Sequence, residues 1–185
     1  MSRANTDICS VELAGGLDNR FRRLFQNPQK ILSLYLKEGQ TALDVGCGPG
    51  FFTLDMAKLV GETGRVIGAD LQEGMLSIVR GKVKGTELEN RIVLHKCGQD
   101  KIGLTDRVDF VLMFYMVHEV PNKNSLFSEI AKLLNPNGKV LLVEPPIHVS
   151  RAAFEETLQI ARSCGLKVIS RPKMFPDKVA VLSAE

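Results

Sequence analysis

The sequence predicts an α/β fold built on a parallel sheet, and three observations carry that expectation. Short β-branched apolar runs alternate with longer segments of helical period, the pattern of successive βαβ units. A glycine-rich turn, Gly46-Cys47-Gly48-Pro49-Gly50, follows directly on the first of those runs, at the strand end where such sheets gather their ligands. The chain has 185 residues, 44% hydrophobic and 24% charged, which suits one domain with a self-sufficient core.

In chain order, residues 1–27 stand apart. They carry Gly15-Gly16 and an arginine cluster without a sustained period, and are expected to form an N-terminal arm, either an ordered lid or frayed chain. Residues 28–185 are expected to make the folded domain. At its start Ile31, Leu32, Leu34, Tyr35 and Leu36 suggest a helix packed on the sheet. Strands are predicted over residues 42–45, 65–69, 92–94, 109–114, 139–144, 167–170 and 179–183. Phe52, Met56 and Leu59 recur at helical spacing after the glycine turn. Leu126, Ile130, Leu133 and Leu134 do the same ahead of Pro136-Asn137-Gly138, which reads as a turn. Phe154, Leu158 and Ala161 follow Ser150, a helix-capping residue, with Glu155 and Glu156 near the positive helix end.

Composition excludes some classes. The sequence shows no long apolar span, no basic-then-apolar leader and no lipidation signal, which argues against membrane spanning or secretion and for the cytoplasm. Cys9, Cys47, Cys97 and Cys164 are scattered, with no CxxC and no histidine at ligand spacing; reduced thiols are expected, and no metal. A net charge of +3 and a pI near 8.7 are too mild to argue for nucleic acid.

The glycine turn is the strongest functional signal. Glycine admits positive φ and leaves no Cβ, so a ligand can rest on bare backbone. The helix expected from about Gly50 points its amides at the same place and favours a carboxylate or phosphate. A dinucleotide site asks for GxGxxG. Here the spacing is GxGxG, Pro49 interrupts it, and Phe51 stands at the third-glycine position. Asp44, two residues before the turn, would also repel a pyrophosphate. A ligand with an ammonium or sulfonium centre reverses that sign. Asp70, twenty residues after Gly50 at the end of the second strand, suits the two hydroxyls of a ribose in either ligand class. Leu71 and Met75 could wall an adenine, with ordinary helix core as the alternative for Met75.

The stretches "LDVGCGPGFFTLDMAKLVGETGRVIGADLQEGML" and "VDFVLMFYMVHEVPNKNSLFSEIAKLLNPNGKVLLVEPP" resemble the class I S-adenosylmethionine-dependent methyltransferases. They are most similar to the small-molecule, ubiquinone/menaquinone-type branch (methyltransferase type 11/25-like), from about Asn27 to the end. The resemblance implies a Rossmann-like, doubly wound sheet of seven strands with the last antiparallel, "DKVAVLSAE" supplying that strand. It implies S-adenosyl-L-methionine as cofactor, with S-adenosyl-L-homocysteine as product. By position, Asp44, the turn Gly46, Cys47, Gly48, Pro49 and Gly50, and Asp70 would hold it. The chain departs from the family after the third strand, where an Asp or Glu commonly meets the adenine amino group. Gly98 stands there, so Gln99, Asp100 or a backbone carbonyl would have to serve.

The fourth strand ends in "MFYMVHEVPNK". Met113 and Phe114 are expected near the methionine end of the cofactor, and Tyr115 and His118 near the acceptor. In-line transfer from a sulfonium mainly needs alignment and exclusion of water. A base is needed only if the acceptor must lose a proton, and His118 is the candidate; its alternative is to cap the next helix or pack beneath the loop. Glu119 and Glu144 are further polar candidates whose ordinary reading is solvated or structural. The "MFYM" tetrad differs from the Asn/Asp-Pro-Pro-aromatic clamp that amino-methylating enzymes of this class share, which speaks against nucleic-acid amino groups.

Four functions follow. A small-molecule methyltransferase needs no appended substrate domain, and Arg20, Phe21, Arg22 and Phe25 of the arm could cover its acceptor. An RNA- or protein-directed methyltransferase would use Arg20, Arg22, Arg23 and Lys30 as a basic grip. A nicotinamide dehydrogenase is opposed by the GxGxG spacing and Asp44. A cofactor-binding protein without turnover is the fourth. The first fits the residues best; the oligomeric state leaves no mark in them.

Overall fold

The computed structural model describes residues 26–184, so the arm expected at residues 1–27 lies outside the described residues except for Gln26 and Asn27. The elements run α1 (Pro28–Leu32), β1 (Thr41–Val45), α2 (Thr53–Leu59), β2 (Arg65–Asp70), α3 (Glu73–Val83), β3 (Ile92–Lys96), β4 (Val108–Phe114), α4 (Lys123–Leu133), β5 (Leu134–Glu144), α5 (Arg151–Ser163), β6 (Leu166–Ser170) and β7 (Lys178–Ala184). The seven strands form one sheet in the order β3-β2-β1-β4-β5-β7-β6. β1 to β5 are mutually parallel, and β7 runs antiparallel to both β5 and β6. The strand order reverses between β1 and β4, which opens a crevice at their carboxyl ends.

The central strands are apolar on both faces because helices cover both. Leu43, Val45, Val111 and Met113 share one buried cluster with Phe127 and Ile130 of α4 and Leu158 of α5. Ala42, Phe110, Leu112 and Phe114 share the other with Leu32 of α1, Met56 of α2 and Val79 of α3. Ser150 caps α5, its hydroxyl accepting from the Ala153 N–H at 3.1 Å, and Asn122 caps α4 by accepting from the Ser125 N–H at 3.0 Å.

Three elements differ from the sequence reading. α1 ends at Leu32, and Leu34 is exposed; Pro28, inside its first turn, starts the helix early. α2 begins at Thr53, after a turn that occupies Gly48 to Phe52. Leu134 opens β5 instead of closing α4, pairing with Val108 before the register shifts to Phe110↔Lys139. The expected turn is thus an irregularity inside β5, with Asn137 at φ 67°, a left-handed conformation that Asn tolerates.

Candidate active site

A cleft of about 1560 Å³ lies over the carboxyl ends of β1, β2 and β4. Its floor is the glycine turn. Gly46, Gly48 and Gly50 all have positive φ, at 69°, 52° and 87°. A Cβ at Gly50 would lie 2.8 Å from Leu54 and 3.0 Å from Val79, so this glycine lets the turn close on α2 and α3 and is not part of the cleft wall. A Cβ at Gly48 would meet nothing within 4 Å; this glycine leaves backbone bare toward the cleft. The amides of Gly46 and Cys47 donate to Ala69 O at 2.8 and 3.0 Å, and that of Gly50 to Cys47 O at 3.1 Å. These amides stitch the turn to β2 and to itself, and the helix starts at Thr53, later than the position near Gly50 that the sequence suggests.

The two acids flank this floor. Asp44 is 3% exposed and accepts from the Thr53 hydroxyl at 2.6 Å. Asp70 accepts from Gly48 N–H through Oδ2 and from Gln72 N–H through Oδ1, both at 2.9 Å. Burial pushes the Asp70 carboxyl up from its ordinary value, while the N–H groups of Gln72, Gly48 and Leu71 pull it back. A carboxylate offers about four acceptor sites, so both oxygens keep capacity for donors entering from the cleft. Cys47 and Cys97, also in the wall, are poor nucleophiles. Burial raises both thiols, with Asp44 and Asp70 adding to the rise at Cys47, and Asp70 and Glu129 at Cys97, which is pushed up to about 12.

Leu71 and Met75 line the cleft beside Asp70. Met75 is only 2% exposed, so it serves core and wall together. Gly98 donates its N–H to Lys101 O at 3.0 Å, closing a small turn that brings Gln99 and Asp100 to the wall as well. Pro49 lines the opposite rim, its carbonyl accepting from Lys82 Nζ at 2.5 Å.

At the end of β4 the expected pair separates. Met113 is fully buried in the cluster beneath α4 and does not reach the cleft. Strand alternation sends neighbouring side chains to opposite faces, so Phe114 alone turns to the cleft. Tyr115 should then face away, but its backbone is left-handed, φ 60°. That reversal folds its ring back onto Phe114, centroids 4.5 Å apart, and puts both aromatics on one wall. Its hydroxyl donates to Asp177 at 2.6 Å and accepts from Gln26 Nε2 at 2.6 Å. The phenol therefore fastens the β6–β7 loop and the arm's end to β4.

His118 lies on a single 3-10 turn, Val117–Glu119, and its ring lines the cleft. Glu144, at the end of β5 and 2% exposed, takes the His118 N–H at 3.2 Å and Nδ1 at 2.5 Å. His148 stacks parallel to the same ring, centroids 5.9 Å apart. The sequence reading named Glu144 without seeing this pairing; the signal for it was that Glu144 closes β5 and His118 follows the end of β4, two strands that become neighbours. Ile147 and Phe175, 89% and 98% exposed, also line the cleft and were not singled out. Among the described residues no group of three His, Cys, Asp or Glu is placed to hold a metal ion, and no helix is long and apolar enough to cross a membrane.

Residues 36–167 match the family model described as a methyltransferase domain. The chain belongs to this methyltransferase family. Its fold is that of the class I S-adenosylmethionine-dependent methyltransferases. The solved structure of a SAM-dependent methyltransferase from Aquifex aeolicus superimposes with a TM-score of 0.84 at 28% identity, over 95% of this chain and 98% of that one. The demethylmenaquinone methyltransferase of Lactobacillus johnsonii is 34% identical over 130 residues, 70% of this chain and 51% of that protein. The corresponding protein of Halalkalibacterium halodurans is 35% identical over 109 residues, 59% of this chain and 44% of its own length. The chain thus spans about half the length of these curated relatives. The domain matched by the family model includes the glycine turn, both acids and the His118–Glu144 pair.

Proposed function

We propose that this chain is an S-adenosylmethionine-dependent methyltransferase acting on a small, largely apolar acceptor of the quinol type. One observation carries the reading: a buried acid on β1 and a second on β2 flank a glycine turn whose middle residue leaves open backbone. The cleft residues fit the cofactor. Asp70, already oriented by Gly48 and Gln72, suits the ribose hydroxyls. Asp44 offers negative charge where an ammonium or sulfonium can approach and where a pyrophosphate would be repelled. Leu71 and Met75 make an apolar wall for adenine, and the turn from Gly98 through Gln99 closes its edge. Phe114 walls the methionine end. When bound, the cofactor supplies an activated methyl group; the protein aligns the acceptor with it and keeps water out.

The acceptor end supports the rest of the reading. Tyr115, Ile147 and Phe175 give it apolar and aromatic surface, as an unsaturated ring would use. The relatives named for demethylmenaquinone point to the same class. Gln26 reaching Tyr115 supports a role for residues 1–27 in covering the acceptor.

The test is calorimetric. S-adenosylhomocysteine should bind well and NAD weakly or not at all; tighter binding of NAD overturns the reading. Labelled S-adenosylmethionine with a short-chain demethylmenaquinol should then transfer its methyl group. Tight cofactor binding without transfer to any quinol, alongside transfer to RNA or protein, would reassign the acceptor.

A further inference from the structure

We propose that Glu144 holds His118 as a proton acceptor aimed into the cleft, and that the methyl acceptor is a ring-hydroxyl compound that loses its hydroxyl proton as it is methylated. This rests on the methyltransferase reading and adds to it a base, a positioning residue and an acceptor chemistry.

The geometry is specific to a held base. One buried carboxylate grips both the main chain and the ring of His118, at 3.2 and 2.5 Å. A carboxylate only accepts hydrogen bonds, so Nδ1 carries the proton and the neutral ring keeps its lone pair on Nε2. Among the described residues Nε2 has no hydrogen-bond partner, and the ring lines the cleft while Glu144 does not. His148, from the β5–α5 link, stacks on the ring face and limits its rotation. A histidine that only capped a helix would not need a buried acid behind it.

The charges facing the ring come from every element around it. Glu144 on β5 and Glu119 on the same turn favour the imidazolium, Lys123 at the start of α4 opposes it, and His148 is a further titratable neighbour among the described residues. Together they raise His118 above its ordinary value, the Glu144 hydrogen bond most of all and burial acting against it. A phenolic hydroxyl, with a pKa of about 10, lies within reach of such a base. An alkyl hydroxyl, about as weak an acid as water, does not.

The step balances. The hydroxyl proton of the acceptor moves to Nε2, and the electron pair it leaves is shared between oxygen and ring. That pair forms the new bond to the methyl carbon, either at oxygen or at a ring carbon whose own hydrogen then leaves as a proton while the oxygen takes one back, and the pair of the breaking sulfur–methyl bond stays on sulfur. His118, now an imidazolium against Glu144, returns its proton to solvent. Thioethers and tertiary amines have no proton to give and would gain nothing from this base.

The experiment uses full-length, nitrogen-15-labelled protein with S-adenosylhomocysteine, read by long-range proton–nitrogen NMR of the histidine rings. Neutral His118 should be the Nδ1–H tautomer and titrate above the ordinary histidine value. Glu144→Gln should lower that titration and weaken the tautomer preference. Glu144→Asp, which keeps the carboxylate but shortens its reach, should fall between and serves if the glutamine variant does not fold. Adding 2-naphthol should shift the Nε2 signal, and 2-methoxynaphthalene should not. An Nε2–H tautomer, or a titration unmoved by both substitutions, overturns the base. Equal responses to the two naphthalenes, or none, overturn the acceptor chemistry. Calorimetry on the same samples separates the two layers. Loss of S-adenosylhomocysteine binding with the tautomer intact sinks the methyltransferase reading alone, and binding with the wrong tautomer sinks the dyad alone.

Discussion

Asp70→Asn is the sharpest test of the cofactor site. The carboxylate is 8% exposed and each of its oxygens already accepts one backbone N–H at 2.9 Å. The Leu71 N–H also acts on the carboxylate, and its remaining acceptor capacity faces the ribose hydroxyls. Asparagine replaces one oxygen with an NH2 group, so one hydroxyl loses its acceptor and either the Gly48 or the Gln72 amide faces a donor. A hydrogen bond to a charged group is worth about 1.5–3 kcal/mol, so S-adenosylhomocysteine should bind about 10- to 150-fold more weakly. The stranded amide alone would lower stability by about 1–3 kcal/mol, but the substitution also removes a charge that burial disfavours, so the net loss should be smaller. Calorimetry against S-adenosylhomocysteine and its 2′-deoxy and 3′-deoxy analogues supplies the assay. Wild type should discriminate against both analogues, and the variant should lose discrimination against one. Binding of S-adenosylhomocysteine within about threefold of wild type, under 1 kcal/mol, would refute the assignment of Asp70 to the ribose.

Gly50→Ala combines a left-handed φ of 87° with a Cβ 2.8 Å from Leu54 and 3.0 Å from Val79. Strain of about 1–2 kcal/mol and overpacking of about 1–3 kcal/mol should together lower stability by about 2–5 kcal/mol, read by urea denaturation. S-adenosylhomocysteine affinity should fall as acid protonates Asp70, and the fall should begin at higher pH than for an ordinary aspartate because burial raises that carboxyl; the Asp70→Asn variant should show a flatter profile. The His118–Glu144 pair obeys the opposite linkage. Its folded-state pKa is raised, so its stabilisation is complete below the unfolded value near 6.5 and is lost as pH rises through the folded one. The melting temperature of wild type relative to His118→Asn should decline across that window.

Much of the fold was legible because a parallel sheet covered on both sides needs continuous apolar strands, and those runs stand out from their neighbours. All seven strands and the capped α5 could be placed. α3 was not singled out as a helix: Gly74 and Gly81 lie within it, and glycine weakens a helical pattern. β5 was begun late because Pro136-Asn137-Gly138 signals a turn and the chain places that turn inside a strand. In the candidate site, Asp44, the turn and Asp70 were legible as a spacing pattern along two strands. The Glu144 grip on His118 was not, since it depends on β4 and β5 becoming neighbours across 26 residues of sequence. Met113 was taken together with Phe114 although strand alternation forbids both from facing the cleft. Tyr115 escaped the same rule only through a backbone reversal that no local propensity favours.

That reversal bears on how the two halves of the cleft depend on each other. A tyrosine at φ 60° holds strain of order 1–3 kcal/mol and persists only if its surroundings over-determine it. Here the backbone N–H donates to Val143 O at 2.9 Å, and the hydroxyl is clasped between Asp177 and Gln26 at 2.6 Å each. Val143 is next to Glu144 in β5, so the contact that fixes Tyr115 adjoins the residue that fixes His118. The aromatic wall and the proposed base are thus anchored to consecutive positions of one strand. Asp177 ties the exposed Phe175 loop to the same point. A shift of the β5 end would therefore disturb ring, base and rim together while leaving Asp44, the glycine turn and Asp70 in place. Cofactor and acceptor affinities should consequently separate: changes at the end of β5 should weaken acceptor binding and transfer, with S-adenosylhomocysteine binding largely kept.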